Sequence, residues 1–296
     1  MTETTSATFV ASNGALLAVH DLGGTGRPLL VAHATGFHGR AYAPFAASLS
    51  DRFHVLAYDA RGHGESGVAV PGRPGDVAGM GYSPADFAAD VLAVVDALDL
   101  ESAAAFGHSA GATSLLLAEE ARPGTFSFLY CFEPIIAATD DLPPPNPDNR
   151  LSVGARARRE TFSSLQAAYD NYALKPPLDV LSSAALWAYV EHGFAPEPDG
   201  TVRLRCRGDD EAAIYAQGLT HDAYRHLSKV TCPVVLACGE TTDAVGHDVL
   251  DLLAPRLPRV SQEVLRGLGH FGPLEDPDAV AASVVRAMEQ WPETPG

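Results

Sequence analysis

Between residues 29 and 132 the chain alternates short, unbroken apolar runs with segments of helical spacing, a rhythm that few architectures accommodate. Leu29 to Ala32, Val55 to Tyr58, Ser102 to Phe106 and Phe128 to Phe132 leave almost no position free to face water. A strand that is apolar on both sides must be covered on both faces, which predicts a mainly parallel sheet flanked by helices, an α/β fold. Helices are expected over Tyr42 to Leu49, Pro84 to Leu98 and Ala112 to Glu120, with Ser83 and Asp86 spaced as an N-cap and its partner. Ahead of these, Ala7 to Val10 and Ala15 to His20 flank Asn13-Gly14, a hairpin signal.

The alternation lapses for nearly a hundred residues after Phe132. Asp140 to Pro147 is too proline-rich for regular structure, and helices are expected at about 151 to 173, 178 to 193 and 209 to 228, with a Pro/Gly-rich interruption at 195 to 201. Strand-like runs resume at Pro233 to Cys238 and Gln262 to Leu265, and a last helix is expected over Asp278 to Gln290. The organisation so predicted is a core of residues 1–134 and 231–296, with a helical cap, 135–230, inserted between the sixth and seventh strands.

Charge restricts the partners. Thirty-seven acidic against 20 basic residues give a net charge of −17, which disfavours nucleic acid and anionic membrane. The four cysteines, Cys131, Cys206, Cys232 and Cys238, form no CxxC pair and read as buried thiols of a reducing compartment. The start of the sequence lacks a basic stretch followed by an apolar one, and no run approaches 18 apolar residues, so a soluble, cytoplasmic protein is expected. A small-molecule substrate is the expected partner; homo-oligomerisation is left open.

Gly107-His108-Ser109-Ala110-Gly111 carries the chemistry. It fits G-x-S-x-G between a strand and a helix, the nucleophile elbow, where a cramped turn leaves no room for Cβ atoms beside the serine. A serine hydroxyl is a weak nucleophile at neutral pH and needs a base oriented by a carboxylate. His270 is the candidate base, because it lies in a glycine-punctuated loop between the last strand and the last helix. Of the other ten histidines, His33, His63 and His108 fall in motifs where the ring packs or hydrogen-bonds, His38 is a candidate pocket lining, and the rest have no catalytic address.

Four segments in order, His33-Ala34-Thr35-Gly36-Phe37, Asp59-Ala60-Arg61-Gly62-His63-Gly64-Glu65-Ser66, GHSAG and GLGHFGPLEDP at 267–277, resemble the motifs of the α/β-hydrolase superfamily. That resemblance implies the α/β-hydrolase fold, no cofactor or metal, and an oxyanion hole made by the backbone N–H groups of Thr35 and Ala110. Ala34 stands where glycine is usual. The 59–66 segment is mostly structural in the family and is assigned no catalytic part.

The third member of the triad departs from the commonest pattern. The family's usual acid follows the strand after the lid, and there the sequence reads Gly239-Glu240-Thr241-Thr242-Asp243, with Thr242 in the expected slot and Asp243 one residue late. The second known location follows the strand before the lid, where Glu133 ends the run FLYCF; this resembles the haloalkane dehalogenases and fungal lactone hydrolases. A carboxylate ending so apolar a run is costly to bury unless paired, and an imidazole N–H is a suitable partner, so Glu133 is taken over Asp243.

Phe37, His108 and Trp187 are assigned to the substrate pocket, and Tyr42, Tyr189 and Tyr215 to the core. Arg156, Arg158 and Arg159 are expected to form a solvated face of a lid helix. The resemblance implies a serine hydrolase cleaving an ester or lactone through an acyl-enzyme. Carbon–carbon or thioester hydrolysis is the alternative, and a non-hydrolytic ligand-binding or biosynthetic protein on the same fold is the alternative of another class.

Overall fold

The computed structural model describes residues 7–66, 81–100 and 102–291; the parts of the expected core at 1–6, 67–80, 101 and 292–296 lie outside the described residues. Strands β1 (Thr8–Ser12) and β2 (Ala15–Asp21) form an antiparallel hairpin. Its turn residues, Asn13 at φ 41° and Gly14 at φ 84°, both take the left-handed conformation that a two-residue hairpin requires. Strands β3 (Arg27–Ala32), β4 (Phe53–Tyr58), β5 (Ala103–His108), β6 (Phe126–Phe132) and, after the cap, two further strands complete an eight-stranded sheet. All but the hairpin end is parallel, as the unbroken apolar runs predict.

Period-two alternation sends neighbouring residues of one strand to opposite faces. Leu29 and Val31 pack with Phe106 and Tyr130 on one side, while Leu30 and Ala32 join Leu129 and Cys131 on the other. Each fully buried side chain of this kind contributes roughly 1.5–3 kcal/mol. The first face is covered by α1 (Ala43–Ala47) and by the C-terminal helix; the second by α2 (Pro84–Ala97) and α3 (Ala110–Ala121). Ser83 caps α2 through the reciprocal bonds with Asp86 that the sequence predicts. The helix expected over 42–49 is shorter, with a 3-10 turn at Gly39–Tyr42 leading into α1.

The segment between β6 and the seventh sheet strand is less helical than expected. The predicted helix over 151–173 is two, α4 (Arg150–Arg156) and α5 (Leu165–Tyr172), separated by the short strand β7 (Thr161–Phe162). The cause is a partner remote in sequence: β8 (Phe194–Pro196) and β9 (Val202–Leu204) form a hairpin around Gly200, at φ 84°, and β7 adds to it as a third strand. The Pro/Gly-rich interruption is therefore a hairpin turn. Ser164 restarts the helix by accepting the N–H of Ala167. α6 (Ser183–Gly193) begins later than expected, capped by Ser182, and the 209–228 helix divides into α7 (Gly208–Gln217) and α8 (Ala223–His226).

The sheet resumes with β10 (Val234–Gly239), paired parallel to β6, and ends with β11 (Val260–Leu265). α9 (His247–Leu253), α10 (Gly272–Glu275) and α11 (Pro277–Gln290) complete the layers. All four cysteines are buried and unbridged. Among the described residues no helix is long and apolar enough to cross a membrane.

Candidate active site

Where β5 meets α3, Ser109 takes φ 56° and ψ −121°, a sterically strained conformation for a residue with a side chain. Close packing enforces the turn. A Cβ on Gly107 would stand 2.4 Å from Ala112 Cα, and one on Gly111 would stand 2.2 Å from the Ala32 carbonyl oxygen. Ser109 donates its N–H to the Phe132 carbonyl at 2.8 Å, fixing the elbow to the next strand. Ala110 opens α3, and the first N–H groups of a helix have no acceptor within it.

Glu133 follows β6 directly and is fully buried at φ 49°. Its Oε2 accepts from His270 Nδ1 at 2.6 Å, from the Thr242 hydroxyl at 2.7 Å and from Val245 N–H at 3.3 Å; Oε1 accepts from Gly239 N–H at 3.0 Å. A carboxylate so supplied with donors is compatible with burial. With Nδ1–H committed to Glu133, Nε2 is the His270 nitrogen left with a lone pair. Asp243 is exposed. Thr242, in the slot where the family's commonest acid is expected, instead gives its hydroxyl proton to Glu133.

The turn after β3 carries the second expected oxyanion donor. Ala34 N–H donates to Tyr42 Oη at 3.1 Å, Gly36 N–H to His63 Nε2 at 3.0 Å and Phe37 N–H to the Ala34 carbonyl at 3.1 Å. Among the described residues the Thr35 N–H meets no acceptor. The 59–66 segment braces this turn. Asp59 accepts from Gly39 N–H, Glu65 N–H and His20 at 2.8–2.9 Å, and Arg61 pairs with Asp90 at 2.6 Å.

Phe37 forms an apolar wall, its ring 5.2 Å from Tyr189 of α6 and 5.7 Å from Phe271, which in turn touches the His270 ring. Two pocket expectations need correction. Trp187 is 38% exposed and packs on Tyr169; the buried stripe of α6 runs through Leu186, Tyr189, Val190 and Gly193, which turns Trp187 away from Phe37 and puts Tyr189 against it. His108 has no exposed surface. Its side of the strand faces the protein interior, where it meets Tyr42 Oη at 2.7 Å and the His270 carbonyl at 2.8 Å, and burial followed by the nearby His270 charge holds its pKa well below the usual imidazole range.

Arg158 is a third correction. Arg156 and Arg159 bond exposed carbonyl groups of the cap, but Arg158 is largely buried and donates to Glu211 Oε2 and to Tyr189 Oη, both at 2.5 Å. This pair lies against the turn after β3, since a Cβ on Gly36 would stand 2.5 Å from Glu211 Oε1 and 3.5 Å from the Arg158 guanidinium. Tyr42, Thr242 and Glu211 were not singled out for the site by their sequence. For Tyr42 a signal existed, because a phenol inside an apolar helix needs a polar partner.

Comparison with known proteins agrees with this fold. A sequence model of the alpha/beta hydrolase family matches residues 29–283. The 2-(acetamidomethylene)succinate hydrolase of Mesorhizobium japonicum is 27% identical over 251 residues, 84% of this chain and 83% of its own. RutD of Caulobacter segnis, described as a proposed carbamate hydrolase, is 26% identical over 94% of this chain and 97% of its own. Among solved structures, an E-2-(acetamidomethylene)succinate hydrolase superposes with a TM-score of 0.77 at 24% identity, covering 96% of this chain and 98% of that one. The enol-lactonase of Burkholderia xenovorans gives 0.68 at 20%, covering 95% and 100%. A parallel sheet bearing a serine on a strained strand-to-helix turn, and a family match across 29–283, lead to one assignment: the chain belongs to the alpha/beta hydrolase family.

Proposed function

We propose that this protein is a serine hydrolase that cleaves a carboxylic ester or lactone of a small molecule through an acyl-enzyme. The observation that carries the reading is the 2.6 Å bond between His270 Nδ1 and the buried Glu133 carboxylate, on a loop beside a serine elbow. Ser109 Oγ attacks the substrate carbonyl as His270 Nε2 takes its proton, and the imidazolium so formed is stabilised by Glu133. The developing oxyanion is met by the N–H groups of Ala110 and Thr35. Collapse of the adduct expels the alcohol, which receives the proton from His270. Water, activated by the same imidazole, then releases the acid and restores Ser109.

Residues 135–230 act as a cap that closes the acyl site from above, with Phe37, Phe271 and Tyr189 as its apolar wall and the Arg158–Glu211 pair as its polar one. A second reading, cleavage of a C–N bond, is favoured by the names of the Mesorhizobium and Caulobacter relatives, which speak of an acetamido compound and a carbamate. The same attack serves both, and the leaving atom differs.

The test is a fluorophosphonate label read on wild type and Ser109→Ala. Wild type is expected to label at Ser109 and to turn over p-nitrophenyl butyrate; the variant is expected to do neither. Hydrolysis that persists in Ser109→Ala sinks the serine mechanism, and ligand binding without labelling supports the non-hydrolytic alternative. Comparing kcat/KM for the ester with that for the matching anilide and aryl carbamate decides between the two bond classes.

A further inference from the structure

Four successive N–H groups of the oxyanion turn meet different fates. Those of Ala34, Gly36 and Phe37 are bonded inward, whereas among the described residues that of Thr35 is left without an acceptor. Ala34, Gly36 and Phe37 are buried, where N–H groups are almost always paired, whereas Thr35 is half-buried, so the one N–H that is spared is the one on the accessible side of the turn. The two that flank Thr35, those of Ala34 and Gly36, are satisfied by side chains from elsewhere in the fold, Tyr42 and His63.

The chemistry of the partners fixes every proton. A backbone carbonyl only accepts, so His108 Nε2 carries the hydrogen that reaches the His270 oxygen at 2.8 Å. Neutral His108 then offers Nδ1 as an acceptor, Tyr42 donates its hydroxyl proton to it at 2.7 Å, and Tyr42 Oη receives the Ala34 N–H at 3.1 Å. The outcome is one directed chain from Ala34 through Tyr42 and His108 to the backbone of His270. Neither Tyr42 nor His108 has any exposed surface, so water does not compete. His63 follows the same logic on the far side: its Nδ1–H donates to the Arg61 carbonyl at 3.0 Å, which leaves Nε2 to accept from Gly36. His33 returns the connection, donating to the Ala34 carbonyl at 2.8 Å and accepting the Ala60 N–H at 2.9 Å.

We infer that Tyr42 and His108 are positioning residues that couple the oxyanion turn to the backbone of the base, with His63 fixing the other side of the turn so that the Thr35 N–H is aimed. The inference rests on the serine-hydrolase reading and deepens it. It assigns to three buried side chains, none of which touches substrate, the alignment of the hole with the imidazole. Misplacing a catalytic group by about an ångström costs on the order of a hundredfold in rate.

Tyr42→Phe removes one oxygen and keeps the ring. Expected, per fluorophosphonate-titrated site, is a fall in kcat for p-nitrophenyl butyrate of roughly 10–100-fold with KM within about a factor of two. Affinity for phenylboronic acid, whose tetrahedral serine adduct puts an oxygen in the hole, should fall in step. A merely structural role would reduce the number of titrated sites and leave kcat per site unchanged, and that result overturns the inference. His63→Gln, which retains an acceptor near the Nε2 position, is expected to keep most of the kcat that His63→Leu loses; equal loss in both overturns the part given to His63. Nitrogen-15 shifts of the wild-type histidines are expected to put His108 in the Nε2–H form, and the Nδ1–H form breaks the chain even if Tyr42→Phe fails to fold. Normal kcat in Tyr42→Phe with an inert Ser109→Ala removes this inference alone, whereas an active Ser109→Ala removes the serine mechanism beneath it.

Discussion

Ser109 and Glu133 both hold positive φ without being glycine, and both stand at the ends of adjacent strands. Such conformations cost of order 1–3 kcal/mol each and persist where the surroundings over-determine them. Ser109→Ala is expected to lower kcat by more than about a thousandfold with unchanged circular dichroism. Glu133→Gln should cost more activity than Asp243→Asn, because the second side chain is exposed. Gly111→Ala has no room, since its Cβ would meet the backbone oxygens of Ala32 and His33 at 2.2 and 2.6 Å; a loss of roughly 3 kcal/mol or more in urea denaturation is expected. The strained turn at Ser109 was legible in the sequence because local spacing marks it, and the pairing of Glu133 with His270 because a charge ending an apolar run needs a partner. Tyr42 and His108 were not, for their bond joins residues 66 apart and no local pattern encodes it.

At the scale of elements, the strands of the sheet were readable because each is buried on both faces and so carries an unbroken apolar signature. The cap was not, because β7 exists only by pairing with β9 some forty residues later, a contact that overrides the local helical preference. The same distance hid the Arg158–Glu211 pair, which joins the loop after α4 to α7 and turns an expected surface arginine inward. Breaking a buried pair from one side leaves an uncompensated charge and costs about 3–5 kcal/mol, whereas replacing both partners with apolar groups is often nearly neutral. Glu211→Leu alone is therefore expected to destabilise the cap strongly, and Glu211→Leu with Arg158→Met to recover most of the loss, measured by chemical denaturation and by hydrogen exchange over α4 to α7.

Across the whole molecule, buried neutral histidines set the response to acid. Burial, followed by the His63 charge, brings the pKa of His33 down to about 3; burial against the partial support of Asp59 brings His38 to about 4; and burial also lowers His63 and His108. The unfolded chain binds these protons near pH 6.5 while the folded one refuses them, so stability is whole above pH 6.5 and falls as the pH drops toward the folded values. By pH 5 each of His33 and His38 removes about 2 kcal/mol. A denaturation free energy equal at pH 7 and pH 5 would contradict their neutral burial. The sheet order has its own corollary. β6 and β10 lie side by side and parallel, Phe132 abreast of Ala237, so the loop after β10 brings Thr242 to the same carboxylate that holds the imidazole. The orienting carboxylate is thus a transferable part: Glu133→Ala combined with Thr242→Asp should regain activity that Glu133→Ala alone lacks, since neighbouring strands offer interchangeable berths for the same negative charge.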